Sequence, residues 1–271
     1  MSPSPKGKLK RAIFGLDHEI NNPTAIHIAA DLASRLELDL VGVFVMDQML
    51  DRAMSYPEAK ELSAPFRDWR SLDTNLLRQQ QNQMAQRLKT ELEINAKKES
   101  LKTTFEITSG RFEEVLTEFA SQSNILIFIE PKDPLGQITK SFEIIFDLAV
   151  RLPSSALIIP KSSKQRKGPI LFFAAHKDDP SLEVASLIAQ SSGEQLVTVF
   201  FDENHVPSEE TVLGQIQRSD PDIEISKMSL VVLSRHIPNS KKNKLIAEMC
   251  RSTNVPLLLL ETFKTDTAPL E

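Results

Sequence analysis

The residues best placed to do chemistry surround one stretch, ILIFIEPKDPLGQITKSFEIIFDLA, from Ile125 to Ala149. A buried strand is expected to end at Glu130, with a helix starting about ten residues later. In many α/β proteins that junction is a glycine-rich loop whose backbone N–H groups wrap a phosphate at a helix N-terminus. Here the loop has one glycine, Gly136, among two prolines, one aspartate and two lysines, Lys132 and Lys140. Elsewhere the inventory is thin. The five histidines (His18, His27, His176, His205 and His236) have no spacing suited to a shared metal. The single cysteine, Cys250, can form no internal disulfide and no multi-cysteine zinc site. Its setting, KLIAEMCRS, has helical spacing and makes it a small buried apolar residue. No G-x-S-x-G elbow, H-E-x-x-H pair or G-x4-G-K-S/T loop occurs. No residue is therefore assigned a catalytic or metal-binding role, and an enzyme is not expected. Asp17, closing the run RAIFGLD, is the best single binding candidate. Its other reading is a cap on the loop or helix that follows.

The bulk composition narrows the partners. The chain has 271 residues, 41% apolar and 25% charged, as a packed globular protein of one large or two ordinary domains would. Lys and Arg (32) are interleaved with Asp and Glu (37), for a net charge of −5. With no basic stripe, nucleic acid is excluded on electrostatic grounds. The densest basic run, KSSKQRK from Lys161 to Lys167, reads as a linker. The longest apolar runs, about six or seven residues, fall far short of the ~20 that span a bilayer. The N-terminal MSPSPKGKLKRAIFG has a basic start but no apolar h-region, so the chain reads as cytoplasmic.

The elements that must position these residues follow from periodicity. RAIFGLD is a strand, and Asn22 before Pro23 is an N-cap and first-turn signature. The helix after it carries Ala25, Ile28, Ala29, Leu32, Ala33 and Leu36 on one face. LDLVGVFVMD, from Leu38 to Asp47, is a nearly continuous apolar strand, which suits a parallel sheet buried on both faces. Residues 48–70 are less regular and hold the only tryptophan, Trp69, and the only tyrosine, Tyr56. A long helix follows from Ser71 to about Lys98, with Leu77, Met84, Leu88 and Leu92 in one stripe and a solvated opposite face. TTFEITSG is a strand, RFEEVLTEFASQ a helix, NILIFIE a strand, FEIIFDLAVRL a helix and SSALIIP the last strand of this half. Strict alternation of strand and helix, with five strands to Pro160, predicts a doubly wound α/β domain with a parallel sheet.

After the linker the pattern restarts. GPILFFAAHKDDPSLEVASLIAQSSGEQLVTVFFDEN lies strand for strand over RAIFGLDHEINNPTAIHIAADLASRLELDLVGVFVMD. Ala175 falls opposite Asp17, His176 opposite His18 and Asp202 opposite Asp47. NKLIAEMCRSTNVPLLLLE repeats the logic of FEIIFDLAVRLPSSALIIP. This is a tandem duplication, with domains at 1–160 and 169–271 around a 161–168 linker. The second copy is much shorter between its second strand and LVVLS, so it has lost a helix and is expected to lack a strand as well. His18 and His176 take equivalent places just past the first strands, as ligand contacts or as solvated loop residues. Two such domains in one chain are expected to pack as a pseudo-dimer through their last strands or adjoining faces, since SALII and PLLLL need covering.

Taken together, these features resemble the universal stress protein family. They are the Asp closing the first strand, the Ala-rich helix, FVMD ending the second strand, Gly110 leading into a helix with Val115 and Leu116, Asn124 where the family usually has Asp, and the closing helix, proline turn and strand. The resemblance implies strand order 3-2-1-4-5 and the adenine nucleotide alpha hydrolase-like fold. In nucleotide-binding members, ATP lies at the carboxyl ends of the strands. Its adenosine meets the acidic residue after the first strand and the backbone of the second. Its phosphates sit in a G-x2-G-x9-G-S/T loop after the fourth. Carried over, Asp17 and Val45 match the adenosine end. The phosphate end does not match. The first two glycine positions fall on Ile129 and Lys132, and the final pair on Phe142 and Glu143, or on Lys140 and Ser141 with the register shifted by two. Bulky side chains there block the amides from the anion, and Glu143, near a helix N-terminus, would repel a triphosphate. In the second copy Ala175 replaces the acid and the loop SRHIPNSKKNK has no glycine.

Two readings stand. In the first, the protein has lost ATP binding and works in the stress response through protein contacts or dimerisation, with a homodimer or another protein as partner and no cofactor. In the second, it is a sensor whose first-domain crevice still takes a nucleotide or another small molecule, using Asp17, Val45 and His18, with Lys132, Gly136, Lys140 and Ser141 at the anion end. Residues 48–70 are a partner surface or a lid in either case.

Overall fold

The computed structural model describes residues 9–16, 22–47, 52, 55–56, 58–63, 68–130, 138–174, 176–200, 224–235 and 240–261. Its first half begins with β1 (Arg11–Leu16), α1 (Pro23–Arg35), β2 (Asp39–Asp47), β3 (Lys60–Ser63) and β4 (Asp68–Ser71). It continues with α2 (Thr74–Lys98), β5 (Thr103–Gly110), α3 (Phe112–Phe119), β6 (Asn124–Ile129), α4 (Ile138–Arg151) and β7 (Ser155–Ile159). The second half has β8 (Ile170–Ala174), α5 (Ser181–Ser192), β9 (Leu196–Phe200) and a 3-10 turn (Ile225–Lys227). It closes with β10 (Leu230–Ser234), α6 (Ser240–Thr253) and β11 (Leu257–Leu260).

Nine strands make one sheet, in the order β5-β2-β1-β6-β7-β11-β10-β8-β9. The first five are parallel and give 3-2-1-4-5, the expected order. In the second half β9, β8, β10 and β11 are parallel and correspond to 2-1-4-5. Between β9 and β10 the described residues hold only the 3-10 turn, so among them the second half has no third strand. The halves join through their last strands, β7 and β11, which pair antiparallel with Leu157 opposite Leu258. Both strands are buried along their whole length, so the two most apolar edges cover each other. Because the join is antiparallel, the carboxyl ends of the two sets of strands point to opposite ends of the sheet.

Both faces of the sheet are covered, as the continuous apolar runs require. On one face Phe14, Ile127, Phe172 and Val232 pack under α1, α2 and α5. On the other, Ile13, Phe128, Phe173 and Leu233 pack under α3, α4 and α6. Fully burying each such side chain contributes about 1.5–3 kcal/mol. The approach is close at Gly42, where an added Cβ would lie 2.6 Å from Leu92 Cδ2 of α2. No helix among the described residues is long and apolar enough to cross a membrane.

Local signals set the helix ends. Asn22 caps α1, its Oδ1 accepting from Ala25 N at 3.2 Å, with Pro23 as the first helical residue. Asp73 caps α2 by accepting from Leu76 N at 3.0 Å. Three expectations need correction. The helix α3 stops at Phe119 and does not run on through ASQ, because buried Asn124 donates from Nδ2 to Phe119 O at 2.7 Å and starts β6. Helix α4 begins at Ile138, four residues before Phe142, so Glu143 lies in its second turn and does not meet the N-terminal dipole. The 48–70 region contains the antiparallel β3–β4 hairpin, a separate two-stranded sheet.

Candidate functional site

The crevice named by the sequence lies where β1, β2 and β6 end. Asp17, His18, Lys132 and Gly136 lie outside the described residues, as does Ala175 in the second half. Lys140 and Ser141 fall on the first turns of α4, and their side chains also lie outside the described residues. Val45 is placed: its side chain is buried in the core and it pairs with Thr108 of β5. The β1–β2 register ends at Leu16 opposite Phe44, so β2 runs on past β1 from Val45 to Asp47. Among the described residues, its backbone edge toward β1 has no strand partner there. His176 lies exposed in a turn, its carbonyl accepting from Asp179 N at 3.2 Å.

At the end of β6 the described residues build an arrangement that the sequence reading did not foresee. Glu130 is only 3% exposed, a carboxylate held inside the protein. Its Oε1 meets Arg251 Nε of α6 at 2.6 Å, an ion pair between the two halves. Its Oε2 accepts from Lys161 N at 3.2 Å, and its own N–H donates to Ile159 O at 3.0 Å. Lys161, the first residue of the linker, is gripped from the other side as well, since Asn22 Nδ2 donates to its carbonyl at 3.2 Å. Two residues on, buried Ser163 donates from Oγ to Asn254 O at 3.1 Å, just beyond α6. The linker thus leaves the first half across the end of β6 and docks on the second half. A buried charge needs such partners, because desolvating an unpaired ion costs several kcal/mol.

The same place in the second half carries the opposite charge. Arg235 follows β10 and donates its N–H to Leu260 O at 3.1 Å, matching Glu130 and Ile159. Its guanidinium reaches across to the C-terminus of α4, where Nη2 donates to Ala149 O and Nη1 to Leu152 O at 2.5 Å. Glu261 Oε2 accepts from Nη1 at 2.7 Å. A cation at a helix C-terminus satisfies carbonyls that lack intrahelical donors and complements the helix dipole. Burial pushes the Arg235 guanidinium below the usual arginine pKa, opposed by the charge and hydrogen bond of Glu261. Its Nε is buried with no hydrogen-bond partner among the described residues.

Three further contacts stitch the halves together. Glu143 pairs with Lys244 of α6 at 2.9 Å on the surface, so its partner is the other half. Glu194, at the end of α5, accepts from Arg35 of α1 at 3.1 Å, from Ser229 at 2.9 Å and from Gly168 N at 3.2 Å. His27 of α1 lies 2.6 Å from Gln165 Oε1 of the linker. A cavity of about 30 Å³ beside this linker is lined by Asp31, Arg35, Lys164 and Ser229, far smaller than a nucleotide site. Cys250 is buried in α6, and burial pushes its thiol up, away from the reactive thiolate. Among the described residues no group of three or more His, Cys, Asp or Glu is disposed to hold a metal. Glu130 and Arg235 had one sequence signal, a charged residue directly after an apolar strand at the same place in both repeats.

No family model and no curated protein matches the chain. Solved structures do match its fold. A universal stress protein from Archaeoglobus fulgidus DSM 4304 aligns with a TM-score of 0.53 at 9% identity, over 93% of this chain and 97% of that one. A functionally unknown protein from Pseudomonas aeruginosa PAO1 aligns with a TM-score of 0.52 at 11% identity, over 95% of this chain and 94% of that one. At such identities the likeness is one of fold: the chain has a universal stress protein-like fold.

Proposed function

We propose that this protein is a universal stress-type protein of the cytoplasm that binds no ATP, catalyses no reaction and acts through protein contacts. The reading is carried by Glu130. Where a nucleotide-binding relative would start its glycine loop, this chain has a buried carboxylate paired with Arg251 of the other half. The Arg251 guanidinium is engaged by Glu130. The carboxylate itself would repel a phosphate, by roughly 4 kcal/mol for unit charges 4 Å apart at an effective dielectric constant of 20, were Arg251 drawn away. A site for triphosphate binding would have to be bought by breaking the joint between the halves.

The test is thermal unfolding with millimolar Mg-ATP, ADP or AMP, beside an Asp17→Ala variant. A ligand at 100 times its dissociation constant adds about 2.7 kcal/mol to stability and moves the melting temperature visibly. No shift is expected with any of the three. A shift that vanishes in Asp17→Ala would overturn this reading in favour of a sensor that binds between Asp17 and the end of β2 at Val45.

A further inference from the structure

Among the described residues the hairpin of β3 and β4 is hydrogen-bonded to no other strand, and a two-stranded sheet alone is at best marginally stable in water. It is held as an arm on α2 by Leu72 N donating to Ala59 O at 2.9 Å, followed by the Asp73 cap. Every residue of β4 is exposed. Leu62 and Trp69 stand directly opposite each other, on one face, at 53% and 68% exposure. Tyr56 at 69% and Leu76 at 41% lie just before and just after the hairpin. Exposed apolar groups this large and this close together mark an interaction surface. The other face is charged: Arg70 pairs with Glu61, which it directly opposes, and Asp68 lies two residues away on the same side of β4.

We propose that this arm docks on the same arm of a second copy, β4 pairing antiparallel with β4 about a twofold axis at Trp69. That register makes the edge self-complementary. Trp69 meets its counterpart on the apolar face, and Asp68 of each chain falls opposite Arg70 of the other on the charged face. The unpaired N–H and C=O groups of the β4 edges satisfy each other. A β3–β3 pairing centred on Glu61 would set two like charges face to face, and one centred on Leu62 would put Glu61 opposite Ser63 with no ion pair. Trp69 at the twofold supplies roughly 150–250 Å² per chain. The contact is therefore small beside the ~1,000 Å² of a specific stable interface, so the dimer is weak and depends on concentration. The proposal rests on the protein-contact reading above and names the contact.

Trp69 is the only tryptophan, so its fluorescence reports the proposed centre directly. Sedimentation velocity and tryptophan emission are followed together from about 1 to 200 μM, the micromolar range of weak complexes. The expected result is a monomer–dimer transition with a blue shift in emission that tracks it. Asp68→Lys alone, and Arg70→Glu made together with Glu61→Gln, are each expected to raise the dissociation constant at least tenfold with unchanged circular dichroism. Mixed in equal amounts, the two variants are expected to form a heterodimer, because each then faces the opposite charge. A protein that stays monomeric throughout overturns the proposal and leaves the arm to a different protein. So does a dimer whose tryptophan emission never shifts, or variants that dimerise like the parent. A nucleotide shift in the melting experiment would refute the protein-contact reading without touching this result, so the two failures are distinguishable.

Discussion

The ends of β6 and β10 occupy the same place in two copies of one fold, yet one carries Glu130 and the other Arg235. Both residues bind their own sheet identically, through an N–H to the last residue of the neighbouring strand. Both then reach into the opposite half. Glu130 finds a side chain, Arg251, and the linker amide. Arg235 finds the carbonyls that end α4, with Glu261 beside it. A shared ligand would have demanded like chemistry at both ends. The charge at each end matches what the other half offers, as at a joint between the halves.

The comparison can be broken at its members, with unequal effects. Arg251→Met should be the most damaging, destabilising the protein by about 3 kcal/mol in urea unfolding, because it leaves a buried carboxylate with no cation. Arg235→Met should cost less, about 2 kcal/mol. The α4 carbonyls lose charged donors, but removing a desolvated guanidinium with an unsatisfied Nε recovers part of that loss. A larger loss for Arg235 than for Arg251 would reverse the ranking of the two joints. Lys244→Ala should leave the melting temperature unchanged within error, since its pair with Glu143 is exposed and screened. A clear drop there would mean that the surface contact helps hold the halves.

Much of the fold was legible because it is written in periodicity. The apolar runs of β1, β2 and β6 announced a sheet buried on both faces, and the repeated pattern is matched by the strand order of the second half, which corresponds to 2-1-4-5. The need to cover SALII and PLLLL pointed to a join through the last strands or adjoining faces, and it is the last strands that pair, antiparallel; Asn22 before Pro23 announced the start of α1. The β3–β4 hairpin was not legible. KELS and DWRS are too short and too polar to alternate, and neither strand packs on the core. The joint was hidden for a different reason. Glu130 and Arg251 are 121 residues apart, and Arg235 and Ala149 are 86 apart, so no local pattern encodes either contact. Glu143 was misread because the start of α4 was placed at Phe142, after the polar residues that open the helix. Of the binding residues proposed from sequence, Val45 and His176 have their side chains among the described residues, Val45 in the core and His176 exposed in a turn.

The most direct measurement is a double-mutant cycle at the end of β6, with Glu130→Met, Arg251→Met and the pair compared by urea unfolding. If the two form the joint, each single change is costly and the double variant is nearly as stable as the parent, since apolar groups of similar volume can replace a buried ion pair. The coupling should then approach the sum of the two single losses, larger than the about 3 kcal/mol expected for Arg251→Met alone. Additive losses, with coupling near zero, would contradict the joint and reopen the end of β6 as a place for a ligand.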